Sequence, residues 1–175
     1  MVSQRRRLDA PLAAGAGRRR YGPLAETRAL TVRVSPALTT WARDRASSFG
    51  APSVKTCLVV DDSRVIRKVS RRILEDLGFE VAEASDGVEA MAWCSAVMPD
   101  AILLDWIMPG MDGMEFLKRL RAEPGGERPK VVFCSGETDI GRIRDALDAG
   151  ADEYIMKPFD GAIVAGKLAY LGVAA

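Results

Sequence analysis

The segment CLVVDD, residues 57–62, places two aspartates directly after a run of four apolar residues. A short apolar run bounded by polar residues is typical of a strand that is buried on both faces. Such strands occur in parallel sheets that helices cover on both sides. Two adjacent carboxylates repel each other unless a cation joins them, so the end of this strand indicates either a turn or a metal site.

The residues after this strand have helical spacing. Ser63 is a suitable N-cap, and the apolar residues Val65, Val69, Ile73 and Leu77 recur at four-residue spacing until Gly78. The spacing therefore predicts a helix between Ser63 and Gly78.

The same alternation of strand and helix continues to the end of the chain. Further strands are predicted at residues 80–84, 101–104, 130–134 and about 152–155. Helices are predicted after Asp86, after Asp112 with Glu115 as its capping partner, between Ile140 and Gly150, and from Asp160. Five strands alternating with five helices predict a parallel α/β sheet with helices on both faces.

Polar residues follow four of the five predicted strands. These residues are Asp61 and Asp62 after the first strand, Asp105 after the third, Ser135 after the fourth and Lys157 after the fifth. Ligands of open α/β sheets bind at the carboxyl ends of the strands, so these groups are candidates for one site. Turn chemistry explains any one of them, but the convergence of three carboxylates favours a hard divalent cation such as Mg²⁺.

These motifs resemble the receiver domain of two-component response regulators, closest to the single-domain chemotaxis type. The resemblance covers residues 56 to about 172 and depends on VVDDS at 59–63, LLDWIMPGMDG at 103–113, FCSGE at 133–137 and GADEYIMKPF at 150–159. It implies a flavodoxin-like fold, with a five-stranded parallel sheet in the order 2-1-3-4-5 and helices on both faces.

The resemblance also implies a reaction. Asp105 corresponds to the aspartate that the family phosphorylates, and Mg²⁺ would be held by Asp62 and Asp105, by Asp61 through water, and by the backbone carbonyl of Ile107. Lys157 and Ser135 correspond to the groups that contact the phosphoryl oxygens. The family usually has a cis peptide bond before the proline that follows this lysine.

A conformational switch and a control of phosphoryl lifetime are implied as well. Ser135 and Tyr154 correspond to the switch residues, and partners would bind the surface formed by the fourth helix, fifth strand and fifth helix. Ile107 and Glu137 correspond to positions near the attacking water, so they are expected to tune hydrolysis. An apolar Ile107 is expected to lengthen the life of the acyl phosphate.

We therefore expect a stand-alone cytoplasmic response regulator, not a classical enzyme, that accepts a phosphoryl group from a histidine kinase or histidine phosphotransfer protein and controls a partner protein. An intermediate carrier in a phosphorelay is the alternative. An aspartate-dependent phosphatase would need a second aspartate at the position of Ile107. A flavodoxin-like electron carrier would need a phosphate-binding loop after the first strand, where Asp61 and Asp62 would repel the phosphate. A DNA-binding regulator would need an output domain, which the sequence does not lead us to expect.

Composition separates a basic arm from an acidic body. Residues 1–53 contain ten arginines and three acids, giving a charge of +7, whereas residues 54–175 have a charge of −6. We expect the arm to be mostly disordered. It is either the result of an over-extended gene model and absent from the native protein, or a transit peptide, or a segment attracted to nucleic acid or membranes by charge alone. The chain contains no histidine, so the phosphoryl donor must be another molecule, and its three cysteines suit a reducing compartment. No segment is apolar for long enough to predict a membrane span.

Overall fold

A computed structural model describes residues 54–136 and 140–173. The basic arm and Glu137 lie outside this range, so the expectations for them stay predictions. Within the described residues the strands are β1 (Thr56–Val60), β2 (Glu80–Ala84), β3 (Ala101–Asp105), β4 (Lys130–Ser135) and β5 (Glu153–Met156). The helices are α1 (Arg64–Asp76), α2 (Gly87–Ala96), α3 (Gly113–Ala122), α4 (Ile140–Asp148) and α5 (Gly161–Tyr170).

The strands form one parallel sheet in the order β2-β1-β3-β4-β5. This confirms the predicted fold class and strand order. Val60 pairs with Leu104 and Leu104 pairs with Phe133, so β1, β3 and β4 are in register near their carboxyl ends. The residues that follow these strands are therefore placed at one edge of the sheet.

Alternate residues of the central strands fill two separate cores. Leu58 and Val60 of β1 belong to a core with residues of α2, α3 and α4, whereas Cys57 and Val59 belong to a core with residues of α1 and α5. Side chains of a strand alternate between the two faces, so a strand covered on both sides must be apolar throughout. This is why CLVV contains no polar residue.

Within the described residues, side-chain caps start α1, α2, α3 and α5. Ser63, Asp86, Asp112 and Asp160 each accept a hydrogen bond from a backbone amide in the first turn of α1, α2, α3 and α5. The predicted capping pair of Asp112 and Glu115 is only half correct. The carboxylate of Asp112 accepts from the amide of Glu115, but the Glu115 side chain pairs with Arg119 at 2.5 Å.

The helix predicted after Ser63 is confirmed, but only the second half of the stripe that predicted it, Ile73 and Leu77, packs against the core. Val65 is 68% exposed and Val69 is 46% exposed, whereas Ser70 and Leu74 are buried. A step of four residues overshoots one helical turn by about 40°, so a strict four-residue series winds around the helix and cannot stay on its buried face throughout. Among the described residues, no helix is long and apolar enough to span a membrane.

Candidate functional site

The carboxyl edge of the sheet gathers the polar residues that come after the strands in the sequence. Asp61 is 2% exposed, Asp105 is 8% exposed and Ser135 is 2% exposed, whereas Asp62 is exposed to solvent. One oxygen from each of the three carboxylates lies within 4.8 Å of the others. These oxygens can hold one small hard cation, since Mg²⁺ takes oxygen ligands and commonly binds through a few carboxylates while it keeps several waters.

The ammonium group of Lys157 lies between two of the carboxylates. Its Nζ donates to Oδ2 of Asp61 at 2.5 Å and to Oδ1 of Asp105 at 2.7 Å. The peptide bond between Lys157 and Pro158 is cis, as expected. Lys157 therefore neutralises part of the charge of the buried carboxylates and leaves the cluster with a net negative charge.

The pKa values at this edge reflect burial and mutual charge. Burial raises the pKa of Asp105, the hydrogen bond and charge of Lys157 oppose the rise, and the charge of Asp61 adds to it. Burial alone would lower the pKa of Lys157, but its bonds to Asp105 and Asp61 outweigh burial and raise the pKa. Lys157 is therefore a charged partner of Asp105.

The adjacent aspartates of CLVVDD have different surroundings. Oδ1 of Asp61 accepts from the backbone amide of Ser63 at 2.8 Å, and its Oδ2 accepts from Lys157. Asp62 is exposed, and its carboxylate accepts no hydrogen bond from the described residues. Because both oxygens of Asp61 are already bonded, Asp62 has more freedom to bind a cation directly.

The predicted switch residues lie close together on β4 and β5. The hydroxyl of the half-buried Tyr154 donates to the backbone carbonyl of Ser135 at 3.4 Å, and the backbone amide of Lys157 donates to the same carbonyl at 2.9 Å. Trp106, directly after Asp105, packs on Phe133 with a ring-centroid distance of 4.9 Å. The residue directly after Asp105 therefore contacts β4 through a pair of aromatic rings.

Comparison with known families agrees with this geometry. Residues 57–167 match the family described as the response regulator receiver domain. The chain belongs to this family.

Curated relatives of the receiver domain include response regulators. It is 43% identical over 102 residues to the response regulator MprA of Mycobacterium avium and of Mycobacterium ulcerans. The alignments cover 58% of this chain but only 44% and 43% of those relatives, so the chain matches less than half of their length.

Solved structures of the chemotaxis type share the fold. Vibrio cholerae CheY4 has a TM-score of 0.64 and 31% identity, and the match covers 70% of this chain and 100% of that protein. A CheX-CheY complex with BeF₃ and Mg²⁺ from Borrelia burgdorferi has a TM-score of 0.64 and 30% identity, covering 68% of this chain and 90% of that one. A CheY-like receiver domain protein from Methanospirillum hungatei has a TM-score of 0.62 and 32% identity, covering 68% and 94%.

The predicted roles of two further site residues stay predictions. Ile107 lies in the loop after β3 with its side chain 60% exposed, and metal binding by its carbonyl stays a prediction. Glu137 lies outside the described residues, so its effect on hydrolysis stays a prediction too.

One residue of the receiver domain was missed as a site residue although it ends the LLDWIMPGMDG motif. Gly113 begins α3, and a Cβ atom there would lie 2.2 Å from the backbone carbonyl oxygen of Asp105. Its amide also donates to the carbonyl of Trp106 at 3.0 Å. Only glycine allows α3 to pack this closely against the backbone that carries Asp105.

Proposed function

We propose that this receiver domain accepts one phosphoryl group on Asp105 in a Mg²⁺-dependent reaction and passes the signal on by changing shape. The donor is a histidine kinase or a histidine phosphotransfer protein. The observation that carries the proposal is the position of Asp105, which is nearly buried between Asp61, Asp62 and the ammonium group of Lys157. The structural neighbour from Borrelia burgdorferi adds support, since that complex contains Mg²⁺ and BeF₃.

The chemistry at Asp105 is nucleophilic. An oxygen of the Asp105 carboxylate attacks the phosphorus of a phosphohistidine, a P–O bond forms, and the P–N bond breaks with its electron pair going to the imidazole. Bound Mg²⁺ would supply positive charge to the phosphoryl oxygens, and Asp61, Asp62 and Asp105 would hold it. Lys157 supplies a second positive charge beside Asp105, and the hydroxyl of Ser135 donates to a phosphoryl oxygen.

The output is a change of the surface formed by α4, β5 and α5. The hydroxyl of Tyr154 bonds the backbone carbonyl of Ser135, so a movement of Ser135 toward a phosphoryl group would weaken this hydrogen bond. The change in Tyr154 then alters the surface to which a target protein binds. We propose that this protein acts alone in the cytoplasm and regulates its target by binding, without contacting DNA.

The test uses phosphoramidate, a small donor with the P–N bond of phosphohistidine. With Mg²⁺ the full chain should gain the mass of one phosphoryl group, and hydroxylamine should release it as expected for an acyl phosphate. Asp105→Asn should gain none, whereas Asp76→Asn, a matched change at an exposed carboxylate of α1, should gain as much as the parent. Equal phosphorylation of Asp105→Asn, or none of the parent chain, would contradict the proposal.

We further propose that Ile107 slows the hydrolysis of the acyl phosphate. Its side chain is apolar and 60% exposed two residues after Asp105, so it can cover the phosphoryl group without orienting a water molecule. Ile107→Asn should release phosphate at least severalfold faster, measured as the loss of phosphorylated mass after the donor is removed. Ile163→Asn, at a 44% exposed position of α5, is the control, and an unchanged rate in Ile107→Asn would refute the idea.

A further inference from the structure

Arg67 of α1 reaches back to the loop that carries the acidic pair. Its side chain is only 15% exposed, and Nη1 donates to the backbone carbonyl of Asp61 at 2.7 Å and to that of Asp62 at 3.1 Å. One guanidinium nitrogen therefore holds two consecutive peptide groups. The planar guanidinium has several donors in a fixed arrangement, which makes such a contact geometrically strict.

Glu83 of β2 fixes the position of this guanidinium. Nε of Arg67 donates to Oε2 of Glu83 at 3.2 Å, and Arg71, one helical turn further along α1, donates to the other oxygen of Glu83. Burial would raise the pKa of Glu83, but the bonds and charges of Arg71 and Arg67 outweigh it and hold the pKa below its usual value. Glu83 is thus a charged anchor that orients Arg67.

The acidic loop is tied to the same two elements by its own backbone. The amide of Asp61 donates to the carbonyl of Ala84, the last residue of β2, at 3.2 Å. The amide of Ser63, the cap of α1, donates to the carboxylate of Asp61 at 2.8 Å. With Arg67 added, both carbonyls of the acidic pair and the amide of its first residue have fixed partners.

We infer that Arg67, anchored by Glu83, is a positioning residue that sets the direction of the Asp61 and Asp62 carboxylates for Mg²⁺ binding. This inference rests on the proposed function, which gives these carboxylates a cation to bind. Groups that orient metal ligands without touching the metal commonly control its affinity. Asp62 depends on this support most, because its exposed carboxylate lacks the bonds to Lys157 and Ser63 that hold Asp61.

Electrostatics alone predicts the opposite effect of a substitution. Arg67 carries a positive charge beside a cation site, so removing that charge would strengthen Mg²⁺ binding if charge were its only influence. Removing a positioning group weakens binding instead. The sign of the change in Mg²⁺ affinity therefore separates the two roles.

The experiment measures the dissociation constant of Mg²⁺ by tryptophan fluorescence of the full chain, and independently by the Mg²⁺ dependence of the unfolding temperature. Arg67→Met should bind Mg²⁺ about tenfold more weakly than the parent. Arg67→Lys should show a similar loss, since an ammonium group keeps the charge but lacks the fork that reaches two carbonyls and Glu83 together. Arg72→Met, at a 78% exposed arginine of the same helix, should bind like the parent.

Further readouts keep the inference testable if Arg67→Met folds poorly. Glu83→Gln removes the charged anchor, and it should weaken Mg²⁺ binding by a smaller factor. Without Mg²⁺, amide hydrogen exchange at Ser63 should be faster in Arg67→Lys than in the parent, because a loosened loop opens more often.

The outcomes also separate this inference from the function it rests on. Unchanged or tighter Mg²⁺ binding in Arg67→Met, or binding like that of the parent in Arg67→Lys, would overturn the positioning role while the metal site stands. A parent chain that gives no Mg²⁺ response by either measurement would overturn the metal site and the positioning role together.

Discussion

Carboxylates at the two edges of the sheet differ in how many hydrogen-bond donors surround each of them. At the amino edge, Asp152 accepts from Arg121 at 2.9 Å, from Lys130 at 2.8 Å and from the amide of Val131 at 2.9 Å. Asp100 at the same edge accepts from the amide and the hydroxyl of Thr56, at 2.7 and 2.9 Å.

The carboxyl edge instead concentrates acids around a single lysine. Asp61 and Asp105 share Lys157, and Asp62 adds a third carboxylate within 4.8 Å. A buried carboxylate with enough hydrogen-bond donors supports the fold. An excess of like charges instead destabilises the folded state, and a bound cation can relieve this repulsion. The balance between acids and donors, more than the presence of buried acids, therefore distinguishes the candidate site from the scaffold.

Substituting one glycine near each edge should reduce the stability of the fold more than any other change considered at these edges. A Cβ at Gly113 would lie 2.2 Å from the backbone oxygen of Asp105, and one at Gly126 would lie 1.8 Å from that of Leu120. Because backbone must move in both cases, Gly113→Ala and Gly126→Ala should each lower the free energy of unfolding by about 3 kcal/mol in urea titrations. Mg²⁺ affinity should fall only in Gly113→Ala. Equal Mg²⁺ affinities of the two variants would contradict the assignment of the metal site to the carboxyl edge alone.

Replacing one aspartate at each edge with asparagine should have smaller effects on the free energy of unfolding, and these effects should differ between the edges. Asp152→Asn weakens the contacts that Arg121 and Lys130 make with this side chain, so it should lower the free energy of unfolding by about 2 kcal/mol. The effect is reduced because the Asp152 side chain is 19% exposed. Asp105→Asn should cost less than about 0.5 kcal/mol, because burial disfavours ionised Asp105 and Lys157 keeps Asp61 as a partner.

Urea unfolding of both variants without Mg²⁺ measures this contrast. If Asp105→Asn proved as costly as Asp152→Asn, the carboxyl edge would be as well compensated as the amino edge.

The sequence predicted the groups of the site better than the contacts that hold them. Asp61, Asp105, Ser135 and Lys157 could be found because each comes after an apolar run, and parallel strands bring the residues at their carboxyl ends to one edge. Arg67 and Glu83 could not be found in this way. They lie on different elements, sixteen residues apart, and only the packing of α1 on β2 brings them together.

The spacing of apolar residues predicted that α1 exists better than it predicted which face of α1 is buried. Val65 and Val69 helped to predict α1 correctly, yet both are largely exposed, and the buried Ser70 is polar. Gly113 belongs to a turn motif that the sequence makes visible, but its role depends on a distance between α3 and β3 that no local pattern contains.

Substituting Lys157 should have the smallest effect, because this lysine neutralises only part of the negative charge at the carboxyl edge. Lys157→Met should bind Mg²⁺ a few-fold more tightly than the parent, because the ammonium charge repels the ion and occupies oxygens of Asp61 and Asp105. Lys130→Met removes a lysine from the amino edge and should leave Mg²⁺ affinity unchanged. Tryptophan fluorescence titrations of the two variants and the parent measure these affinities, and weaker binding in Lys157→Met would mean that the lysine orients the carboxylates more than it competes for them.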